Sequence, residues 1–447
     1  MDFQRKIIYL GNTEVFDKLP ASSHPQFKHI NYPPEGYVFC EADSLWKEKN
    51  LIEYKNAIGI NLDEHERLIN DILKKRREAF NEEKNSFVNW CVENGVSDKI
   101  YQRFITKLDA GEKADSLPLE RNAISFLPSY ILSLQKSPYV VEIEDVYTLF
   151  FPFADNANNT NLDVKNAEFF KLVTYLLCRD ECKHIVTHVR STYDCINNNF
   201  ANAIAEKTSY IPMGIEKCHP DNYCHSYQKT LGNTIRMLFT SSWHQYGFSV
   251  RGGLDVIHAF YMLSRKFKNV ELVIKCWLPR DIPKKYLEMV DILRNEGKLH
   301  IISNMLTEEQ MQCLMKSVDV YLLPSARIHI VSILDSLAHG IPIITSDGWG
   351  IEEYIQNGQN GSVVRGRYGN ASYVDDNGFL KENYEIMFIG DESYAFSLFQ
   401  EMERVITDDE YRHRITKNGM NDIETRFSID NWNSKLKDVM DNCYEGM

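Results

Sequence analysis

Two places in this chain put anion-holding and sugar-holding residue types where a parallel sheet would present them. The first is Ser325 to Ile330, between the apolar run Val320 to Leu323 and a helical repeat of Ile330, Ile333, Leu334 and Leu337. A segment that leaves a strand and opens a helix offers backbone amides and the positive end of the helix dipole, which suit a phosphate. Asp335 stands further along that helix, at a depth suited to hydrogen-bonding a sugar or ribose hydroxyl. Gly348 and Gly350, in DGWGIEEY, let the backbone approach a ligand closely before a further helix begins near Glu352. The second place is Glu144 and Asp145, which close the apolar run Tyr139 to Ile143. Paired carboxylates at a strand's carboxyl end face the crevice, where they can hold substrate; capping or pairing with a basic neighbour is the competing use. Gly11, after KIIYL, is a weaker cue of the same kind.

The elements that must position these residues are legible. Pro324 closes the run Val320 to Leu323, because it lacks an N–H and fixes φ, while Gly340 and Pro342 open Ile341 to Thr345. Gly340 also falls where a helix C-cap belongs. The unit is a strand, helix, strand crossover, so its strands are parallel and covered on both faces. Further strands are expected at Lys6 to Leu10, His184 to Val189, Met237 to Thr240 and Leu299 to Ser303. Thr307 and Gln310 make a capping-box start for the helix reaching Lys316. Leu62 to Val92 reads as one amphipathic helix carrying Lys74, Lys75, Arg76 and Arg77, offset by Glu78, Glu82 and Glu83. A solvated face is the expectation there, with contact to anionic lipid as the alternative. The polar insertion 365–383 is left without a place, and two helices follow near 391–407 and 408–425.

Composition narrows the class. The chain has 447 residues, 43% of them apolar and 25% charged, which suits a globular enzyme of two or three domains. A net charge of −13 argues against broad nucleic-acid binding, so an anionic ligand needs a local positive cluster. No apolar run is long enough to span a bilayer and the N-terminal one is too short for a signal peptide, so a cytoplasmic location is expected. Ten cysteines scattered among apolar positions read as reduced thiols, and neither CRDECKH nor CHPDNYCH has the paired spacing of a structural zinc site.

The stretches VDVYLLPS, LDSLAHGIPIITSD and GIEEYIQNGQNGSVV resemble the donor-binding half of retaining GT-B glycosyltransferases, family 4 type. The resemblance implies an α/β fold of two Rossmann-like domains facing across a cleft. It implies an acceptor-side domain at 1–214, a linker at 215–234, a nucleotide-sugar domain at 235–429, and a closing helix, 430–447, that packs back on the first domain. It implies transfer of a sugar from a UDP-, GDP- or dTDP-linked donor to a saccharide or glycolipid acceptor, without cofactor or metal, in cell-surface polysaccharide or glycan assembly. Such an enzyme works in the cytoplasm, with peripheral association at the inner face of the membrane. Arg251 and Gly252 match the family's basic pair at the diphosphate, and Asp335 matches the second of its two motif carboxylates, here toward the ribose. Arg327 stands where the first carboxylate is usual and Ile330 where a glycine is usual, and Ser242 takes the place of a second arginine. Arg327 is therefore expected to supply the missing positive charge. Asn304 falls at the base-binding loop, Glu353 in a Gly-x-x-Glu position at the donor, and Glu144 with Asp145 in the place of a His-Asp pair before the donor sugar. These departures make a non-catalytic protein that binds an acceptor or a partner transferase the alternative.

Overall fold

The computed structural model describes residues 6–10, 32–41, 62–110, 124–128, 134, 137–154, 161–219, 234–241, 247–383 and 385–445. Gly11 and Ser242 lie outside them. The first half contains strands β1 (Lys6–Leu10), β2 (Tyr37–Glu41), β3 (Ile124–Pro128), β4 (Tyr139–Ile143), β5 (Cys182–Thr187) and β6 (Thr208–Tyr210). Its main helices are α1 (Leu62–Glu93), α2 (Asp98–Ala110), α3 (Glu168–Cys178) and α4 (Arg190–Asn199). The six strands are all parallel, in the order β2-β1-β3-β4-β5-β6.

The second half has β7 (Ile235–Thr240), β8 (Val270–Lys275), β9 (Leu299–Ile301), β10 (Val320–Leu323), β11 (Ile343–Ser346) and β12 (Ser362–Val364). Between and after them run α5 (Gly253–Lys266), α6 (Lys284–Asn295), α7 (Glu308–Lys316), α8 (Ile330–Ala338), α9 (Glu392–Thr407), α10 (Asp409–Thr425) and α11 (Ile429–Glu445). This sheet is also parallel, ordered β12-β11-β10-β7-β8-β9. Both halves are thus Rossmann-like, as the sequence predicts. Strands covered on both faces must be apolar throughout, and all residues of β10 and β11 are buried. Thr307 accepts from the Gln310 amide while the Gln310 side chain accepts from the Thr307 amide, so the capping box forms as expected.

The insertion after β12 is structured. A short helical turn, 368–371, leads into an antiparallel hairpin of β13 (Ser372–Val374) and β14 (Leu380–Glu382). Its tip is an Asx-type turn: the Asp375 carboxylate accepts from the Asn377 and Phe379 amides, and Gly378 takes φ +83°. The hairpin docks on the first half. Phe379 is buried 6.3 Å from both Phe150 and Phe170, and Lys381 donates to the Leu162 carbonyl at 2.6 Å.

Further contacts join the halves. The helix α11 lays Trp432, Leu436 and Met440 on the first sheet, against Ile8, Phe126 and Val140. The Tyr354 hydroxyl donates to the His188 carbonyl at 2.9 Å and accepts from the Met213 amide at 3.1 Å. Glu353 closes the start of α4 by accepting from the Arg190 amide and, at 3.1 Å, the Ser191 amide.

Candidate functional site

The strand order reverses between β7 and β10, because the chain moves one way through β8 and β9 and the other way through β11 and β12. A crevice opens beyond the carboxyl ends of such a pair, and ligands bind there. The segment after β10 and the turn before α5 meet at this point. The Ala326 amide donates to the Val250 carbonyl at 3.0 Å, and Gly252 begins α5 at φ +83°. A β-carbon at Gly252 would stand 2.4 Å from the Pro324 carbonyl oxygen, so only glycine lets the turn seat against β10. Gly348 serves the same packing from the other side, since its β-carbon would lie 2.2 Å from the Ser325 carbonyl oxygen. This close approach is to protein backbone, where the sequence suggested a ligand.

Arg251, just before Gly252, is carried into the knot. Its Nη2 lies 2.9 Å from Nδ1 of His329, the residue that begins α8. Burial pulls the Arg251 guanidinium down to about 10, partly offset by Tyr321, Cys276 and Glu144, so it stays charged at neutral pH. Among the described residues no carboxylate lies within ion-pair distance of it. Lys275, the last residue of β8, is half-buried, and burial and then Arg251 depress its pKa. His329 is held well below its usual range by burial, then by Arg251 and Arg327. Cations withdrawn from water beside one another are costly unless an anion completes the cluster.

Arg327 has a different setting from the one expected. Its guanidinium is only 12% exposed and meets three carboxylates: Asp145, Glu382 at 3.3 Å and Glu144 at 3.8 Å. Its charge is compensated by protein, so the charge missing at Ser242 is not supplied from here. Asp145 and Glu144 come from the first half and Glu382 from the hairpin, which makes Arg327 a point where three elements meet. Asp145 is also a cap, its carboxylate accepting from the Tyr147 amide at 2.8 Å to start the 146–150 turn. Glu144 is more open, with 34% of its side chain exposed. Burial raises its pKa, opposed first by Arg327 and to a smaller extent by His188 and Arg251. It therefore faces the cations of the second half across the cleft.

The other expected residues fall as follows. Asp335 is half-buried on α8, its backbone carbonyl accepting from the His339 amide and ring. Asn304 is exposed beyond β9 and donates to the Met305 carbonyl at 3.2 Å. Glu353 is engaged at the start of α4, so its carboxylate is a joint between the halves where a donor contact was expected. An open cavity of about 450 Å³ lies beside the loop after β11, lined by Asp347, Trp349, Glu352 and Tyr373 among others. Sequence reasoning passed over His329, Lys275 and Glu382. A histidine in the helix-opening segment was the one available cue.

Residues 236–375, the span that builds this crevice, match the family model described as Glycosyl transferases group 1. No curated protein matches the sequence. The chain is similar in structure to HepE of Anabaena in complex with UDP and glucose, at 12% identity and a TM-score of 0.51, covering 98% of this chain and 100% of that one. It is similar to a glycosyltransferase from Rickettsia africae, at 12% identity and TM-score 0.51, covering 99% of this chain and 100% of that one. Sucrose-phosphate synthase from Thermosynechococcus elongatus aligns at 12% identity and TM-score 0.52 over 78% of this chain and 80% of its own. The architecture is accordingly that of the GT-B glycosyltransferases, and the part that carries the crevice is the part that matches the group 1 family model.

Proposed function

We propose that this protein is a retaining, metal-independent glycosyltransferase that moves a sugar from a nucleoside diphosphate donor to a saccharide or glycolipid acceptor in cell-surface glycan assembly. The observation that carries the reading is Arg251, a half-buried cation with its Nε buried and no carboxylate partner among the described residues, set beside the N-terminus of α8 at the switch point. The leaving diphosphate would gain charge there as the glycosidic bond breaks. Arg251, Lys275 and the first amides of α8 would stabilise it in a water-poor cleft, the charge stabilisation that divalent ions give elsewhere. HepE in complex with UDP and glucose, a protein of the same architecture, makes a uridine-linked donor the first to try.

Glu144 is the better of the two candidate carboxylates for touching the sugar or acceptor, because Asp145 is committed to capping and to Arg327. In a retaining reaction the acceptor hydroxyl approaches on the face that the leaving group departs from, so the halves must hold donor and acceptor together. Asp335 is proposed at the ribose and Asn304 near the base. No helix among the described residues is long and apolar enough to cross a membrane. A glycolipid acceptor would bring the protein to the cytoplasmic membrane face as a peripheral visitor.

The test is turnover. Nucleoside diphosphate release from UDP-, GDP- and dTDP-sugars is measured with wild type, Arg251→Ala and Glu144→Gln. Release with one donor, reduced at least tenfold in Arg251→Ala, fits the reading; no release with any donor contradicts it. The pairing of Asp145 with Arg327 favours a second reading, a binding protein without catalysis, which predicts nucleotide binding with no turnover.

A further inference from the structure

Among the described residues, three buried side-chain nitrogens in this knot have no hydrogen-bond partner: Arg251 Nε, His329 Nε2 and Trp349 Nε1. Their segments are joined by two backbone hydrogen bonds and one side-chain contact. The Trp349 amide donates to the Ala326 carbonyl at 2.9 Å, the Ile328 amide donates to the Trp349 carbonyl at 2.8 Å, and Arg251 Nη2 meets His329 Nδ1. A buried donor left without an acceptor costs about 1–3 kcal/mol, so orphaned donors on segments bonded to one another mark a place that expects acceptor oxygens.

The chemistry of one contact fixes a proton. Every nitrogen of a guanidinium donates and none accepts, so the contact at 2.9 Å requires His329 Nδ1 to be the acceptor. The ring proton must then sit on Nε2, the atom without a partner. The imidazole is not used by its own helix either, since α8 starts without a side-chain cap. Trp349 adds an aromatic wall, over which the Arg327 guanidinium stands 5.7 Å from the ring centre. A second proton on His329 would place an imidazolium between two arginines.

We infer that His329, held as its Nε2–H tautomer by Arg251, is a donor-binding residue that gives a hydrogen bond to a phosphate oxygen of the nucleoside diphosphate. The inference rests on the donor site proposed above and adds a neutral contact to its cationic ones. Arg251 then has two tasks, attracting the diphosphate and orienting the proton that greets it. A lysine at 251 would keep the charge and lose the planar fork that reaches the ring.

The test combines calorimetric titration of UDP, GDP and dTDP with nitrogen-15 histidine spectra of the wild-type protein. The expected result is binding of at least one nucleotide by wild type, weakened about tenfold or more in His329→Phe, which keeps a ring and removes the donor. His329→Gln, whose amide can stand in for Nε2–H, should recover most of the loss. In the wild-type spectra His329 should carry its proton on Nε2 alone, and that resonance should move when the bound nucleotide is added. Equal affinity in wild type and a folded His329→Phe overturns the role of His329 while leaving the donor site standing. A proton on Nδ1, or an Nε2 resonance indifferent to nucleotide, does the same without any variant. Wild type that binds none of the three nucleotides overturns the donor site and this inference together.

Discussion

Two arginines at the same crevice have opposite electrostatic circumstances, and each predicts its own response to removal. Arg327 sits among Asp145, Glu144 and Glu382, two of them fully buried. Deleting it strands carboxylates without a counter-ion, so Arg327→Ala should destabilise the protein by about 3–5 kcal/mol, read as a lower midpoint in thermal or urea unfolding. Arg251 has no such partner among the described residues. Arg251→Met should leave the ligand-free protein as stable as wild type or more so, and should abolish the stabilisation given by nucleotide. A fall in ligand-free midpoint comparable to that of Arg327→Ala would contradict the assignment. His188 shows a third case. Burial alone would lower its pKa, but the Glu142 carboxylate 2.7 Å away and the Ile211 carbonyl raise it on balance. A raised folded pKa means the pair's stabilisation is complete below the unfolded value of about 6.5 and is lost as pH rises through the folded one. The midpoint difference between wild type and His188→Gln should therefore be widest in mild acid and shrink in alkali; a gap independent of pH would show that no proton is involved. At this scale the sequence was half legible. Arg251 and Gly252 are marked by a local glycine turn. Arg327 could not be read correctly, because the partners that neutralise it lie far away in the chain.

At the scale of elements, apolar periodicity and turn chemistry carried most of the information. The strands β4, β7, β10 and β11, the capping box of α7 and the closing helix α11 are all set by local pattern plus burial. The hairpin β13–β14 was not foreseen. Its strands are three residues each and half polar, and their order comes from contacts with the first half rather than from propensity. The Asn377-Gly378 pair at its tip was the one local hairpin signal. Phe379 is the anchor of this docking, so Phe379→Ala should cost about 3–5 kcal/mol locally. Hydrogen exchange would show it as faster exchange in 372–382 with the second sheet unchanged. Exchange that stays slow would mean that Lys381 and Glu382 suffice to hold the hairpin. Glu353, at the start of α4, makes a similar joint. Glu353→Ala removes a helix cap worth about 1 kcal/mol and should loosen the first turn of α4.

Across the whole molecule, two parallel sheets face one another with their strand-end loops in contact, and the joints are polar at the crevice and apolar behind it. Glu144 and Asp145 reach across to Arg327, Glu353 to α4, and the hairpin to the aromatic cluster of Phe150 and Phe170. This arrangement holds the halves together in the absence of ligand and leaves Arg251 and His329 as the site's unmet demand. The fold class was readable because each half repeats one strand and helix unit many times. The chemistry was less so, because it depends on which charges the two halves cancel between them. A nucleoside diphosphate site at Arg251 is tested most simply by the unfolding midpoint against UDP, GDP and dTDP. A ligand that binds only the folded state at about 100 times its Kd adds about 2.7 kcal/mol, enough to raise the midpoint by a few degrees. Such a rise is expected with at least one nucleoside diphosphate and is expected to be absent in Arg251→Ala. No rise with any of the three at millimolar concentration, or an equal rise in Arg251→Ala, would contradict that site.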